Sequence, residues 1–113
     1  MPLHLPLPDD KKLKLTYRLE PGCLGPKGGD YIEGFCQFAS KKVEALDADY
    51  ILWNIIPRFD KHLTEMAYSV SDKHLSDKQA DQYLRIFDKT LEEFEDNIQN
   101  ECIALITQYM DQQ

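Results

Sequence analysis

The sequence predicts an α+β fold: a two-layer β-α-β-β-α sandwich in which two helices cover one face of a three-stranded sheet. Its 113 residues are enough for a single domain with one core. Apolar residues alternate strictly with polar ones near the N-terminus, as in a half-buried strand, and later recur at helical spacing. We expect three parts: an extended arm (residues 1–10), a β-α-β-β segment (residues 11–75) and a long acidic helix (residues 76–111).

The arm and the first strand are both predicted from alternation. Prolines separate the leucines of the first ten residues, which predicts a polyproline-like arm with one apolar side formed by Leu3, Leu5 and Leu7. This arm either packs along the domain or a neighbouring molecule, or is a frayed tail. The first strand follows. Its apolar side consists of Leu13, Leu15, Tyr17 and Leu19, and its polar side consists of Lys12, Lys14, Thr16 and Arg18.

A glycine-rich loop, residues 21–29, connects the first strand to the first helix and contains four of the five glycines. We predict that the helix begins at Asp30, because Asp30 and Glu33 have the spacing of a capping box. Apolar residues at helical spacing continue to about Asp47.

The same loop is the best candidate for a ligand site. A loop that leads into a helix N-terminus presents backbone N–H groups and a positive dipole end, which suit an anion. Lys27 adds a positive charge and Cys23 a thiol, so the candidate ligand-binding residues are Cys23, Lys27, Gly28 and Gly29. The spacing matches neither GxGxxG nor GxxxxGK[ST], and a tight structural turn is the competing interpretation.

Two further strands are predicted, from Tyr50 to Ile56 and from Thr64 to Ser71, and residues 72–75 are predicted to form a loop. The earlier strand is apolar at both odd and even positions, which is typical of a strand in the middle of a sheet. This pattern favours a central second strand parallel to the first, with a right-handed crossover. The alternative places the third strand between the other two, as in ferredoxin-like folds.

The C-terminal segment predicts one helix, about 50 Å long if it is continuous. Ser76 and Gln79 form a capping box at its start. Its apolar stripe has heptad spacing and comprises Ala80, Leu84, Phe87, Leu91, Phe94 and Ile98. The stripe is displaced at Glu101, as a stutter or a bend would produce. Beyond Ile98 we expect the domain to end, so that later apolar residues contact another molecule.

Charge and cysteine usage exclude several functions. The net charge is −7, and the chain after Thr90 contains six acidic residues but no Lys or Arg, which argues against nucleic-acid binding. No apolar run is long enough to span a membrane. Three cysteines without a CxxC spacing favour neither disulfides nor a zinc site, and they fit a reducing cytoplasm. We identify no catalytic residue, metal ligand or cofactor motif, and we expect a protein that is not an enzyme.

These observations favour a domain for protein–protein interaction or dimerisation that uses the acidic helix and an aromatic face of the sheet. Either the odd-numbered or the even-numbered residues of the second strand can supply that face, unless the N-terminal arm covers it. The predicted interface residues are Trp53, Glu92, Phe94, Glu95, Ile98, Leu105, Ile106 and Tyr109. The expected partner is a second copy of the chain or a basic protein. The alternative function is binding of a small ligand or anion, with thiol chemistry, at residues 21–30.

Overall fold

Strand β1 (Leu13–Leu19) lies inside a four-stranded mixed sheet, and three helices pack against one face of that sheet. The structure, a computed structural model, describes residues 5–60 and 62–112. The other strands are β2 (Ile51–Pro57), β3 (Met66–Val70) and β4 (Lys73–Leu75), and the α-helices are α1 (Gly28–Val43), α2 (Asp77–Arg85) and α3 (Leu91–Met110). Two short 3-10 helices, Asp9–Lys11 and Pro21–Leu24, flank β1. The predicted α+β class is confirmed, and so is a long C-terminal helix, although α3 covers only the second part of the predicted range. Of the arm, residues 1–4 lie outside the described residues, and Leu7 packs against the core.

The alternation along β1 divides the sheet into a covered face and an open face. All four apolar residues of β1 are buried beneath the helices. The register places Leu15 beside Trp53 of β2 and Tyr68 of β3, so these side chains share the covered face. The open face consists of the alternate residues Lys14, Thr16, Arg18, Leu52, Asn54, Ile56, Ala67, Ser69 and His74.

The strand order is β2-β1-β3-β4, and β2 is parallel to β1. The predicted central position of β2 is therefore wrong, and so is the alternative in which the third strand separates the other two. Both faces of β2 are apolar. Ile51 and Ile55 are buried in the core on the covered face, and Leu52 and Ile56 are half-buried on the open face. β1 is central even though only its odd-numbered side chains are fully buried.

The prediction of a three-stranded sheet missed β4, which forms a hairpin with β3 where a loop was expected. Ser71 and Asp72 form the two-residue turn between these strands and have φ values of 51° and 67°. Positive φ at both positions is characteristic of a type I′ turn, whose usual sequence is Asn-Gly. Ser-Asp lacks that signature, so the hairpin has no clear signal in the sequence.

The C-terminal segment forms two helices, so the prediction of one continuous helix over residues 76–111 is wrong. The capping box of Ser76 and Gln79 is present at the start of α2, as predicted. α2 ends at Arg85, and Asp88 adopts a left-handed backbone conformation with φ of 62°. This residue turns the chain out of the first helix, and the heptad spacing continues across the interruption.

Side chains at the start of α3 supply the hydrogen bonds that a separate helix needs. The Oγ1 atom of Thr90 accepts a bond from the Glu93 N–H, at 3.2 Å, and so caps the new helix. An Asp81 carboxylate oxygen, from α2, accepts a bond from the Leu91 N–H at 2.8 Å. The second helix therefore starts against the side of the first.

Helix α1 begins at Gly28, two residues before the predicted start. The prediction that Asp30 caps it is wrong, because the N-cap residue is Lys27, whose side chain makes no capping bond. A Cβ atom at Gly28 would overlap the carbonyl oxygen of Pro21, so this position requires glycine for close packing of the loop on the helix. The helix ends at Val43, earlier than expected.

Candidate interaction surface

Strand β2 forms one edge of the sheet, and half of its backbone groups point away from β1. Bonds of 2.9 and 2.8 Å join β1 to Tyr50 and to Arg58, which flank β2 at its two ends. Between these ends, the alternation of a parallel ladder directs the backbone groups of the even-numbered residues toward β1. The N–H and C=O groups of Trp53 and Ile55 therefore point outward.

Only part of this outward row is satisfied within the chain. The Ile51 N–H donates to the carbonyl of Asp47 at 2.9 Å, and the Ser40 hydroxyl donates to the carbonyl of Ile55 at 3.4 Å. Within residues 5–60 and 62–112, no backbone partner faces the Trp53 amide group or the Ile55 N–H. A carbonyl oxygen has two lone pairs, so Ile55 can accept a second hydrogen bond.

A groove of about 580 Å³ lies beside this edge, between β2 and α1. Phe59, which follows β2, lines the groove, and 68% of this residue is exposed. Glu33 and Lys41 contribute opposite charges from α1. The apolar part of the lining also includes Ile55, Ile56 and Pro57. An exposed aromatic ring beside apolar side chains with a charged rim is typical of a contact surface.

The two edges of the sheet differ in their protection against pairing with another strand. β4 has only three residues and carries Lys73, and short charged edges discourage such pairing. β2 has seven residues without a charge, and its only proline, Pro57, is at the C-terminal end. A long apolar edge with free backbone groups is a template for an added strand.

Most of the predicted interface residues pack within the core of the chain itself. Phe94, Ile98 and Leu105 are buried. The Trp53 ring stacks on Phe94 with 5.5 Å between the ring centroids, and its Nε1–H donates to the Leu46 carbonyl at 2.7 Å. Trp53 therefore lies on the covered face, and the residues of β2 on the open face include no aromatic side chain.

The C-terminal half of α3 also packs within the chain, contrary to the expectation that the domain ends near Ile98. The Tyr109 ring lies 5.6 Å from the ring of Phe35 and 5.3 Å from that of Phe38. Ile106 is half-buried against the same core. Helix α1 supplies the surface that sequence reasoning assigned to another molecule, because it extends beside the end of α3.

The two acidic residues predicted for the interface have different surroundings. Glu92 is exposed in the first turn of α3. Glu95 is half-buried near Tyr68, whose hydroxyl donates to the Met66 sulfur at 3.6 Å. Burial raises the pKa of the Glu95 carboxyl, and nearby Asp77 and Asp96 raise it further, although the nearby Tyr68 hydroxyl opposes this shift.

The candidate ligand-binding residues of the glycine-rich loop differ in exposure. Cys23, Lys27 and Gly29 are exposed, whereas Gly28 is buried against the loop. Partial desolvation of the thiol by surrounding protein atoms raises the pKa of Cys23 although the residue is exposed, a backbone hydrogen bond lowers it, and nearby Glu20 adds to the rise. The thiolate of Cys23 is therefore less populated at neutral pH than that of an unperturbed cysteine, which does not favour thiol chemistry.

A second cavity, of about 390 Å³, lies between the C-terminal end of β1 and α3. Two guanidinium groups line it, but acceptors within the chain already engage them. Arg18 donates to the Thr64 carbonyl at 2.7 Å, and Arg58 pairs with Glu20 at 2.9 Å. The buried Nε–H of Arg18 has no hydrogen-bond partner among the described residues. Because Glu20 and Glu65 line the same cavity, its charge does not favour an anionic ligand.

Metal sites, membrane spans and relatives give no further indication of function. The described residues contain no group of three or more His, Cys, Asp or Glu side chains placed to hold a metal ion. None of the described helices has the length and apolar character needed to cross a membrane. Comparisons with protein-family models, with curated proteins and with solved structures found no match.

Sequence reasoning missed the β2 edge, although part of its signal was present. The run of seven uncharged residues was interpreted as a central strand, and the unpaired side of a strand cannot be identified from apolarity alone. Phe59 lies three residues beyond the end of the predicted strand and was not among the predicted interface residues. An apolar run followed within three residues by an exposed aromatic residue is the pattern that indicates this surface.

Proposed function

We propose that this chain is a non-enzymatic protein-interaction domain that binds an extended polypeptide strand along β2. The observation that carries the proposal is the unprotected β2 edge, where the Trp53 amide group and the Ile55 N–H have no backbone partner in the described chain. In strand addition, main-chain hydrogen bonds provide affinity, and pockets for alternate side chains provide specificity.

The groove beside β2 supports this function because it offers contacts for the side chains of an added strand. Successive side chains of a strand point to opposite faces, so alternate residues of the added strand would enter the groove. There they would meet Ile55 and the exposed ring of Phe59. The remaining residues would extend the open face beside Leu52 and Ile56.

Phe59 and Ile103 provide a matched pair of variants for testing this function. Both are large apolar residues on the surface, 68% and 63% exposed, and only Phe59 lines the groove. Phe59→Asp and Ile103→Asp therefore remove similar exposed area and add the same charge. We expect both variants to fold, because neither side chain is buried.

The test uses linear peptides selected on the wild-type chain from a random displayed library. We expect selected peptides to slow hydrogen exchange at the Trp53 and Ile55 amides, to bind Phe59→Asp at least about tenfold more weakly, and to bind Ile103→Asp normally. Peptides that leave exchange at both amides unchanged in a monomeric chain would contradict the proposal, as would a selection that yields no binder for a chain that light scattering shows to be monomeric.

A further inference from the structure

We infer that the strand bound along β2 is β2 of a second copy of this chain, in an antiparallel pair whose two-fold axis passes at Asn54. This inference rests on the proposed function and names its partner. The two four-stranded sheets would then form one continuous sheet of eight strands. Cyclic dimers with one self-complementary surface are the commonest protein oligomers.

The outward backbone groups fit this register. Asn54 is the middle residue of Ile51–Pro57. The end pair of Ile51 with Pro57 adds no ladder bonds, because the Ile51 N–H already donates to Asp47 and Pro57 has no N–H. Trp53 then lies opposite Ile55 of the second copy, and both residues point their backbone groups outward. Such a pair exchanges both N–H···O=C bonds in an antiparallel ladder. The groups left without partners in one chain are therefore satisfied by the other.

The side chains of β2 are also self-complementary about Asn54. Leu52 lies opposite Ile56 of the second copy on the open face, and Trp53 lies opposite Ile55 on the covered face. Every cross-strand pair except that of Asn54 with its own equivalent is apolar, and none brings like charges together. Apolar cross-strand pairs stabilise a sheet, whereas like charges directly opposite destabilise it.

Charges at the two ends of β2 favour antiparallel over parallel pairing. Asp47 and Asp49 precede the strand, and Arg58 follows it. Antiparallel pairing keeps the acidic ends of the two copies apart, and Arg58 at the other end is already paired with Glu20 within its own chain. Parallel pairing would place the acidic ends together. The charge distribution therefore selects the same arrangement as the backbone geometry.

The register is tested by disulfide cross-linking in a Cys23→Ser background, which removes the one exposed native thiol. In antiparallel pairs that are not hydrogen-bonded, opposite Cα atoms are about 4.5 Å apart, within the range of a disulfide. Asn54→Cys is therefore expected to cross-link with itself. Ala67→Cys, two strands away on the same face, is the control and should remain uncross-linked.

Cross-linking between two different cysteine variants distinguishes this register from registers shifted along the strand. Neither Leu52→Cys nor Ile56→Cys should cross-link alone, because neither residue lies opposite its own equivalent. An equimolar mixture of the two should form the mixed disulfide. Cross-linking of Leu52→Cys or Ile56→Cys with itself, or no cross-linking of Asn54→Cys in a dimer, would overturn the proposed pairing.

The oligomeric state separates this inference from the proposed function. Light scattering should show a concentration-dependent dimer, and Asn54→Lys should raise its dissociation constant at least about tenfold, because two lysines would meet at the axis. Ala67→Lys is the charge-matched control and should dimerise normally. A monomer that still binds peptides along β2 would overturn this inference and leave the proposed function standing; a monomer that binds none would overturn both.

Discussion

Gly28 and Gly29 are adjacent at the start of α1 but differ in what surrounds them. A Cβ atom at Gly28 would meet the backbone of Pro21, which cannot move without the loop, whereas the corresponding space at Gly29 is open. Both were predicted to contact a ligand. The structure gives Gly28 a packing role, which explains its presence without a ligand.

We predict that Gly28→Ala lowers the free energy of unfolding by about 3 kcal/mol, because the new methyl group overlaps backbone atoms. Gly29→Ala is the matched control and should raise it by up to about 0.5 kcal/mol, since alanine favours the helix. Urea denaturation measures both changes. Equal effects of the two substitutions would contradict this account of Gly28.

Glu95 makes stability depend on pH in a direction that follows from its surroundings. Burial raises its pKa in the folded chain above the unfolded value, so the folded state binds the proton more tightly. Stability is therefore lost as pH rises from the unfolded pKa through the folded pKa, and the charged carboxylate is unfavourable at neutral pH.

We predict that Glu95→Gln raises the free energy of unfolding more at pH 7 than at pH 4, where each value is compared with the wild type at the same pH. The difference should stay below about 1 kcal/mol, because solvent screens a half-exposed carboxylate. Thermal unfolding at the two pH values measures it. Glu101→Gln, exposed on the same helix, is the control for removal of a charge. A larger gain at pH 4 than at pH 7 would show that the sign is wrong.

At the scale of elements, the β3–β4 hairpin and the break between α2 and α3 both depend on left-handed residues. Ser71, Asp72 and Asp88 have positive φ, and none of them is glycine. Residues other than glycine pay a conformational cost in this region. These turns are therefore held by the strands and helices around them, and better turn residues should stabilise the chain.

We predict that replacing Ser71-Asp72 with Asn-Gly raises the free energy of unfolding by about 1 kcal/mol, because this pair favours a type I′ turn. Asp10→Gly is the control, since it introduces glycine at an exposed position without positive φ. It should give no stabilisation. Chemical denaturation measures both variants, and a loss of stability in the hairpin variant would refute the turn assignment.

Elements defined by their own periodicity could be predicted from the sequence, whereas those that depend on tertiary partners could not. The alternation of β1 and the capping box at Ser76 are local signals, and both predictions were confirmed. Thr90 and Glu93 have the same capping spacing, but the heptad pattern obscured it. β4 is too short for a periodic signal. The position of β2 depends on which strand pairs with β1, and apolarity alone does not specify that.

At the scale of the whole molecule, the helices cover one face of the sheet and leave both the open face and the β2 edge for contacts. In the proposed dimer, the two-fold axis is perpendicular to the sheet. The helices of both copies therefore lie on the same side, and the two open faces form one continuous surface. Dimerisation would remove the long unprotected edge and leave β4, short and charged, at each end.

Hydrogen exchange at the Trp53 and Ile55 amides, measured by NMR across a range of protein concentrations, tests this account most directly. Both N–H groups point away from β1 and should exchange rapidly in the monomer. We predict that exchange at both amides slows at least about tenfold as the dimer forms, because each amide then donates to the second copy. Exchange that stays fast at every concentration, or that is already slow in a verified monomer, would contradict the central claim.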